Sequence, residues 1–88
     1  MEFDVSKDLL PVGTIVKVRF SKYEYMIFGF YIRDPEENKV YDYMAIPYPH
    51  GLLNLNDTIG LDRDMIKKVV HLGYINEEEK EYKKEIEE

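Results

Sequence analysis

The sequence predicts a small α+β domain that is mainly β: an antiparallel sheet or partly open SH3-like barrel, with a short helical turn near residues 63–67 and a C-terminal helix from about residue 77. Three observations carry this expectation. Between residues 14 and 46, apolar residues either alternate with polar ones or run unbroken in short stretches, as strands require. Those stretches are joined by short connections rich in Pro, Gly, Asp and Asn. Residues 77–88 are almost entirely Glu and Lys, good helix formers without a period of two. At 88 residues the chain is one domain with a small core and little stability to spare. The expected division is a β body over residues 1–75 carrying an acidic helix over residues 76–88.

Each element has its own reason. "LLPVG" puts Pro11 and Gly13 before "TIVKVRF", where Val16, Val18 and Phe20 alternate with Lys17 and Arg19 as in a half-buried strand. "YEYMIFGFYIRD" is apolar on both phases over residues 25–32, so it is expected at the centre, covered on both faces or curled in a barrel, with Gly29 at a bend or bulge. "DPEENK" reads as a hairpin turn into a strand over residues 40–46. A short strand is expected over residues 58–61, then a single helical turn capped by Asp62, then a last strand over residues 69–74. Asn76 followed by Glu79 makes an approximate capping box for the terminal helix. In that helix, only Tyr82 and Ile86 interrupt the charges; four residues apart, they form a narrow apolar stripe on one face.

Composition excludes several functions. The absence of cysteine removes disulfides, thiolate chemistry and cysteine-based zinc sites, and is compatible with a reducing cytosol. The acidic start reads as no signal peptide, and no stretch is long enough to span a bilayer, so a cytoplasmic protein without a membrane role is expected. Of the net charge of -6, residues 76–88 contribute -4 through seven Glu and three Lys. The remainder, with 11 acidic and 9 basic residues, is close to neutral. Neither part has the cluster of Lys and Arg that neutralises phosphates, which makes a nucleic-acid-binding barrel the least favoured reading.

"YDYMAIPYPHG", residues 41–51, is the unusual segment. Period-two alternation is expected to put Tyr41 and Tyr43 on one face, as core, and Asp42 on the other. Tyr48, held between Pro47 and Pro49, is expected in a loop that presents its ring to a partner. His50 is the one catalytic suspect, and a small hydrolase or ligand-binding domain using His50 with Asp42 is the alternative reading. No serine or cysteine stands near it to be activated, so a turn residue beside Gly51 is the better explanation. His71 sits in a strand pattern; two distant histidines make a poor zinc site, and "DRD" at residues 62–64 lacks the spacing of a calcium loop. No metal, cofactor or catalytic group is expected, and oligomeric state is not encoded in these patterns. The candidate partner-binding residues are Tyr48, Pro49 and His50 in the turn and Tyr82 and Ile86 on the helix.

The order of "LLPVG", "YDYMAIPYPHG" and "HLGYINEEEKEY" resembles a family of small bacterial proteins, domain-of-unknown-function family 4176, over residues 9–82. His50 stands where the family pattern has an acidic residue. The resemblance implies a non-enzymatic accessory protein of Gram-positive bacteria, encoded near type VII-secreted toxins with an LXG-type targeting domain. It further implies that such a protein binds the toxin as a chaperone or targeting factor.

Overall fold

In the computed structural model, residues 4–87 are described. Five strands, β1 (Ile15–Val18), β2 (Glu24–Asp34), β3 (Lys39–Tyr48), β4 (Ile59–Leu61) and β5 (Ile66–His71), precede one helix, α1 (Glu77–Glu87). They form one open antiparallel sheet in the order β4-β3-β2-β1-β5, so β2 is central as its two-phase apolar pattern requires. A 3-10 turn, Arg63–Met65, makes the corner between β4 and β5 at the expected place. The expected strand at residues 69–74 begins earlier and ends earlier: Ile66 is buried opposite Val18, whereas Gly73 leaves the ladder.

The core lies on one face of the sheet. Val16, Val18, Ile27, Tyr43, Ala45, Leu61 and Ile66 are buried there with Leu9 and Leu10 of the lead. Burying each Val, Leu or Ile among them contributes roughly 1.5–3 kcal/mol, which makes the lead part of the fold and not a tail. Phe20, expected to continue the inward series of β1, is exposed at 57%, because the strand ends at Val18 and the chain turns.

The lead is clasped from both sides. The Tyr43 hydroxyl accepts the Leu10 N–H at 2.9 Å and donates to the Asp8 carbonyl at 3.4 Å. The buried Thr14 Oγ1 accepts the Gly73 N–H at 3.0 Å. A side chain at Gly73 would run into the Val12 carbonyl and lie 2.9 Å from the Thr14 nitrogen, so only glycine lets the two segments meet this closely.

Tyr41 and Tyr43 do not share a face. Tyr31 adopts φ 49°, in the left-handed region, so Phe30 and Tyr31 both pack against the core and the alternation slips by one residue. Beyond that step Ile32 and its cross-strand partner Tyr41 turn to the opposite side, where the Tyr41 ring covers Gly60 beside Met44. There the Tyr41 hydroxyl donates to the Glu37 carboxylate at 3.1 Å, which raises its pKa, and Lys39 stands 4.5 Å from the ring centre. Lys39 also pairs with Asp62 at 2.7 Å, a contact that raises the lysine pKa. The bulge expected at Gly29 falls one residue earlier, at the register shift between Ile27 and Gly29.

The turn at residues 34–39 is closed by the Asp34 carboxylate, which accepts the Glu36 N–H at 2.9 Å. The Asn76 side chain caps α1 by accepting the Glu79 N–H at 2.9 Å. Glu79 does not return the bond; its carboxylate pairs with Lys83 at 2.8 Å. The i,i+4 spacing of Lys84 and Glu88 also predicts a supporting pair, which lies outside the described residues.

Candidate functional site

The exposed apolar surface gathers where β1 passes to β2 and β3 passes to β4. Local chemistry fixes both connections. Ser21 Oγ accepts the Tyr23 N–H at 3.1 Å in the first. In the second, Gly51, at φ 71°, closes the turn by donating to the Pro47 carbonyl at 2.9 Å, and the Tyr48–Pro49 peptide bond is cis. Asn54 then caps the 3-10 turn Leu55–Asp57 by accepting the Asn56 N–H at 3.0 Å. Between the two connections opens a shallow hollow of about 380 Å³ lined by Tyr23, Tyr25, Pro47, His50, Leu53 and Asp57. Phe20 stands beside it, its ring centre 6.2 Å from that of Tyr25.

Sequence-expected residues divide around this hollow. His50 lines it, and Pro49 is exposed beside it. Tyr48 is the last residue of β3, paired opposite Glu24, and not a loop residue; alternation turns its half-exposed ring away from Pro47 and the hollow. Tyr82 and Ile86 are elsewhere: Ile86 packs on the core, and the Tyr82 ring lies 6.2 Å from Phe30. Phe30 is six residues along β2 from Glu24, about 20 Å at strand rise. The helical stripe therefore faces the protein's own sheet, and Glu87 adds a contact to Arg63 at 3.5 Å.

His50 and Asp42 are not brought together. Asp42 lines a different hollow with Ser6, Asp62, Arg63 and Asp64. Its carboxylate accepts the Arg63 N–H at 3.0 Å, while its own N–H donates to Asp62 at 3.2 Å, so it performs the capping that the sequence assigns to Asp62. His71 is exposed at the end of β5. Among the described residues, no three His, Cys, Asp or Glu side chains gather as metal ligands, and no helix is long and apolar enough to cross a membrane.

Sequence reasoning missed Tyr23, Tyr25, Leu53 and Asp57. A signal was present: Leu52, Leu53 and Leu55 sit in a polar stretch with no strand or helix pattern to absorb them, and all three are exposed, Leu53 and Leu55 at 78%. No curated protein and no solved structure matches the chain. The lead that the fold clasps, the strand and turn that border the hollow, and most of the helix laid on the sheet all fall within residues 9–82, the span matched by the model of the family described as domain of unknown function (DUF4176), and the chain belongs to that family.

Proposed function

We propose that this chain is a non-enzymatic protein-binding factor, acting in the cytoplasm as chaperone or targeting factor for a type VII-secreted LXG toxin. One observation carries the binding reading. Of twelve large hydrophobics exposed among the described residues, five (Phe20, Tyr23, Leu52, Leu53 and Leu55) belong to two neighbouring connections of the sheet. Exposed apolar surface concentrated in this way marks an interaction site, since a small domain has little apolar area to leave unused. Support for the toxin as partner is the family resemblance, and support for a non-catalytic role is the separation of His50 from Asp42. The near-neutral body favours a protein over nucleic acid as partner.

The test is co-expression with an LXG toxin from the same genome and co-purification of the pair. Leu53→Asp is expected to lose the toxin while leaving the unfolding free energy within about 0.5 kcal/mol of the parent, as for an exposed position. Retention of the toxin at parental yield by Leu53→Asp and by Leu55→Asp would remove the site from the interface.

A further inference from the structure

We propose that the hollow between Tyr23 and Asp57 takes an extended, polyproline-II-like segment of the partner, one with prolines, a large aliphatic residue and a neighbouring Lys or Arg. The proposal rests on the protein-binding reading above and specifies what is bound. Its first ground is the wall chemistry. Two tyrosine rings, Pro47 and Leu53 offer flat apolar surface, the kind on which the ridges of a proline-rich helix pack.

The second ground is hydrogen bonding. The hydroxyls of Tyr23 and Tyr25 and the imidazole of His50 have no hydrogen-bond partner among the described residues, so water satisfies them. A ligand that covers these donors without supplying acceptors forfeits those bonds. An α-helix spends its carbonyls internally, whereas a polyproline-II segment makes no internal hydrogen bonds and offers every carbonyl. Donors set among apolar rings thus favour an extended ligand over a helical one.

A third ground removes the other extended mode. Strand addition needs a free ladder edge, but β2 is paired on both sides at Tyr25. On β3, Pro47 has no N–H, and its carbonyl already accepts from Gly51. The segment therefore crosses side chains and does not extend the sheet. The fourth ground is charge: the Asp57 carboxylate has no ion-pair or hydrogen-bond partner among the described residues and lies in the wall. A cation in the segment completes it.

Titration of the isotopically labelled full chain, followed by amide chemical shifts, tests this with three synthetic peptides of about nine residues, ~28 Å long in the polyproline-II form. One repeats Pro-Pro-Leu behind a terminal Arg, the second carries Glu in place of that Arg, and the third is an amphipathic Leu/Lys helix former. The Arg peptide is expected to give saturable shifts at Tyr23, Tyr25, Leu53 and Asp57 and to bind more tightly than the Glu peptide. Asp57→Asn is expected to weaken the Arg peptide about two- to fivefold, the scale of an exposed ion pair, and to erase its advantage over the Glu peptide.

Absence of saturable shifts with the Arg peptide, shifts confined to other residues, or equal or tighter binding of the helical peptide at the same amides would each overturn the proposal. The two readings fail separately. Loss of the toxin with Leu53→Asp, together with no response to the Arg peptide, sinks the ligand class and leaves protein binding standing. Saturable binding of the Arg peptide, with no toxin captured by the parent chain, supports the ligand class and sinks the toxin assignment.

Discussion

The clasp around the lead and the hollow at the connections are built from the same residue types and are finished in opposite ways. At the clasp, the phenol of Tyr43 and the hydroxyl of Thr14 are buried, and each meets a backbone N–H. At the hollow, the hydroxyls of Tyr23 and Tyr25 have no hydrogen-bond partner among the described residues, and Leu53 stands in water. A buried polar group left unpaired costs more than its bond returns, so the clasp had to be completed within the chain. An exposed phenol carries no such demand. The difference teaches that tyrosine content alone does not locate function in a domain this small; the state of each hydroxyl does.

The contrast is broken most severely at Tyr43. Tyr43→Ala is expected to cost about 3–5 kcal/mol in urea unfolding, as for truncation of a buried aromatic, with the Leu10 N–H left unpaired as well. A loss below about 1 kcal/mol would mean that the lead is not part of the cooperative unit. Gly73→Ala comes next, at about 1–3 kcal/mol for overpacking, because the added methyl meets the Val12 carbonyl and the Thr14 nitrogen. An unchanged midpoint would show that the clasp opens without cost.

The smallest effect sharpens the comparison through pH. Burial raises the Tyr43 pKa above its ordinary value of 10.0, with the Leu10 N–H opposing the shift. The folded state therefore holds this proton more tightly than the unfolded chain does. Its contribution is complete below pH 10.0 and is lost as pH rises through the raised folded value. Tyr43→Phe is expected to cost about 1 kcal/mol at neutral pH and to make the alkaline fall in stability shallower. Parallel curves for the parent and Tyr43→Phe above pH 10.0 would place that proton elsewhere.

Much of the fold was legible, for reasons that lie in short-range chemistry. Alternation marks β1, the unbroken apolar run marks β2 as central, Asp34 announces its turn, and Asn76 announces α1. What escaped depends on contacts remote in sequence. The left-handed step at Tyr31 reverses the face of Tyr41, and no local pattern requires it. "LLPVG" has no period to reveal that Leu9 and Leu10 are core. "MIKK" reads as helical because Lys67 and Lys68 are exposed on both sides of an edge strand. The candidate site was half legible: the sequence marks His50 as a catalytic suspect and the turn by its two prolines. The wall that joins them comes from a connection some 25 residues earlier in the chain, at Tyr23, and pairing of β2 with β3 is what brings it there.

The hollow shared by Ser6 and Arg63, with Arg63 also reaching Glu87, bears on how this protein can be handled. Through one arginine, the first and last parts of the described chain are neighbours, far along the sheet from Tyr23 and Leu53. A short Gly/Ser linker can therefore join them, and the exposed turn at residues 35–38 can be cut to give a circular permutant with the same strand order. The same proximity means that a chain anchored to a sensor surface near Ser6 or Glu87 presents its exposed leucines to the solution.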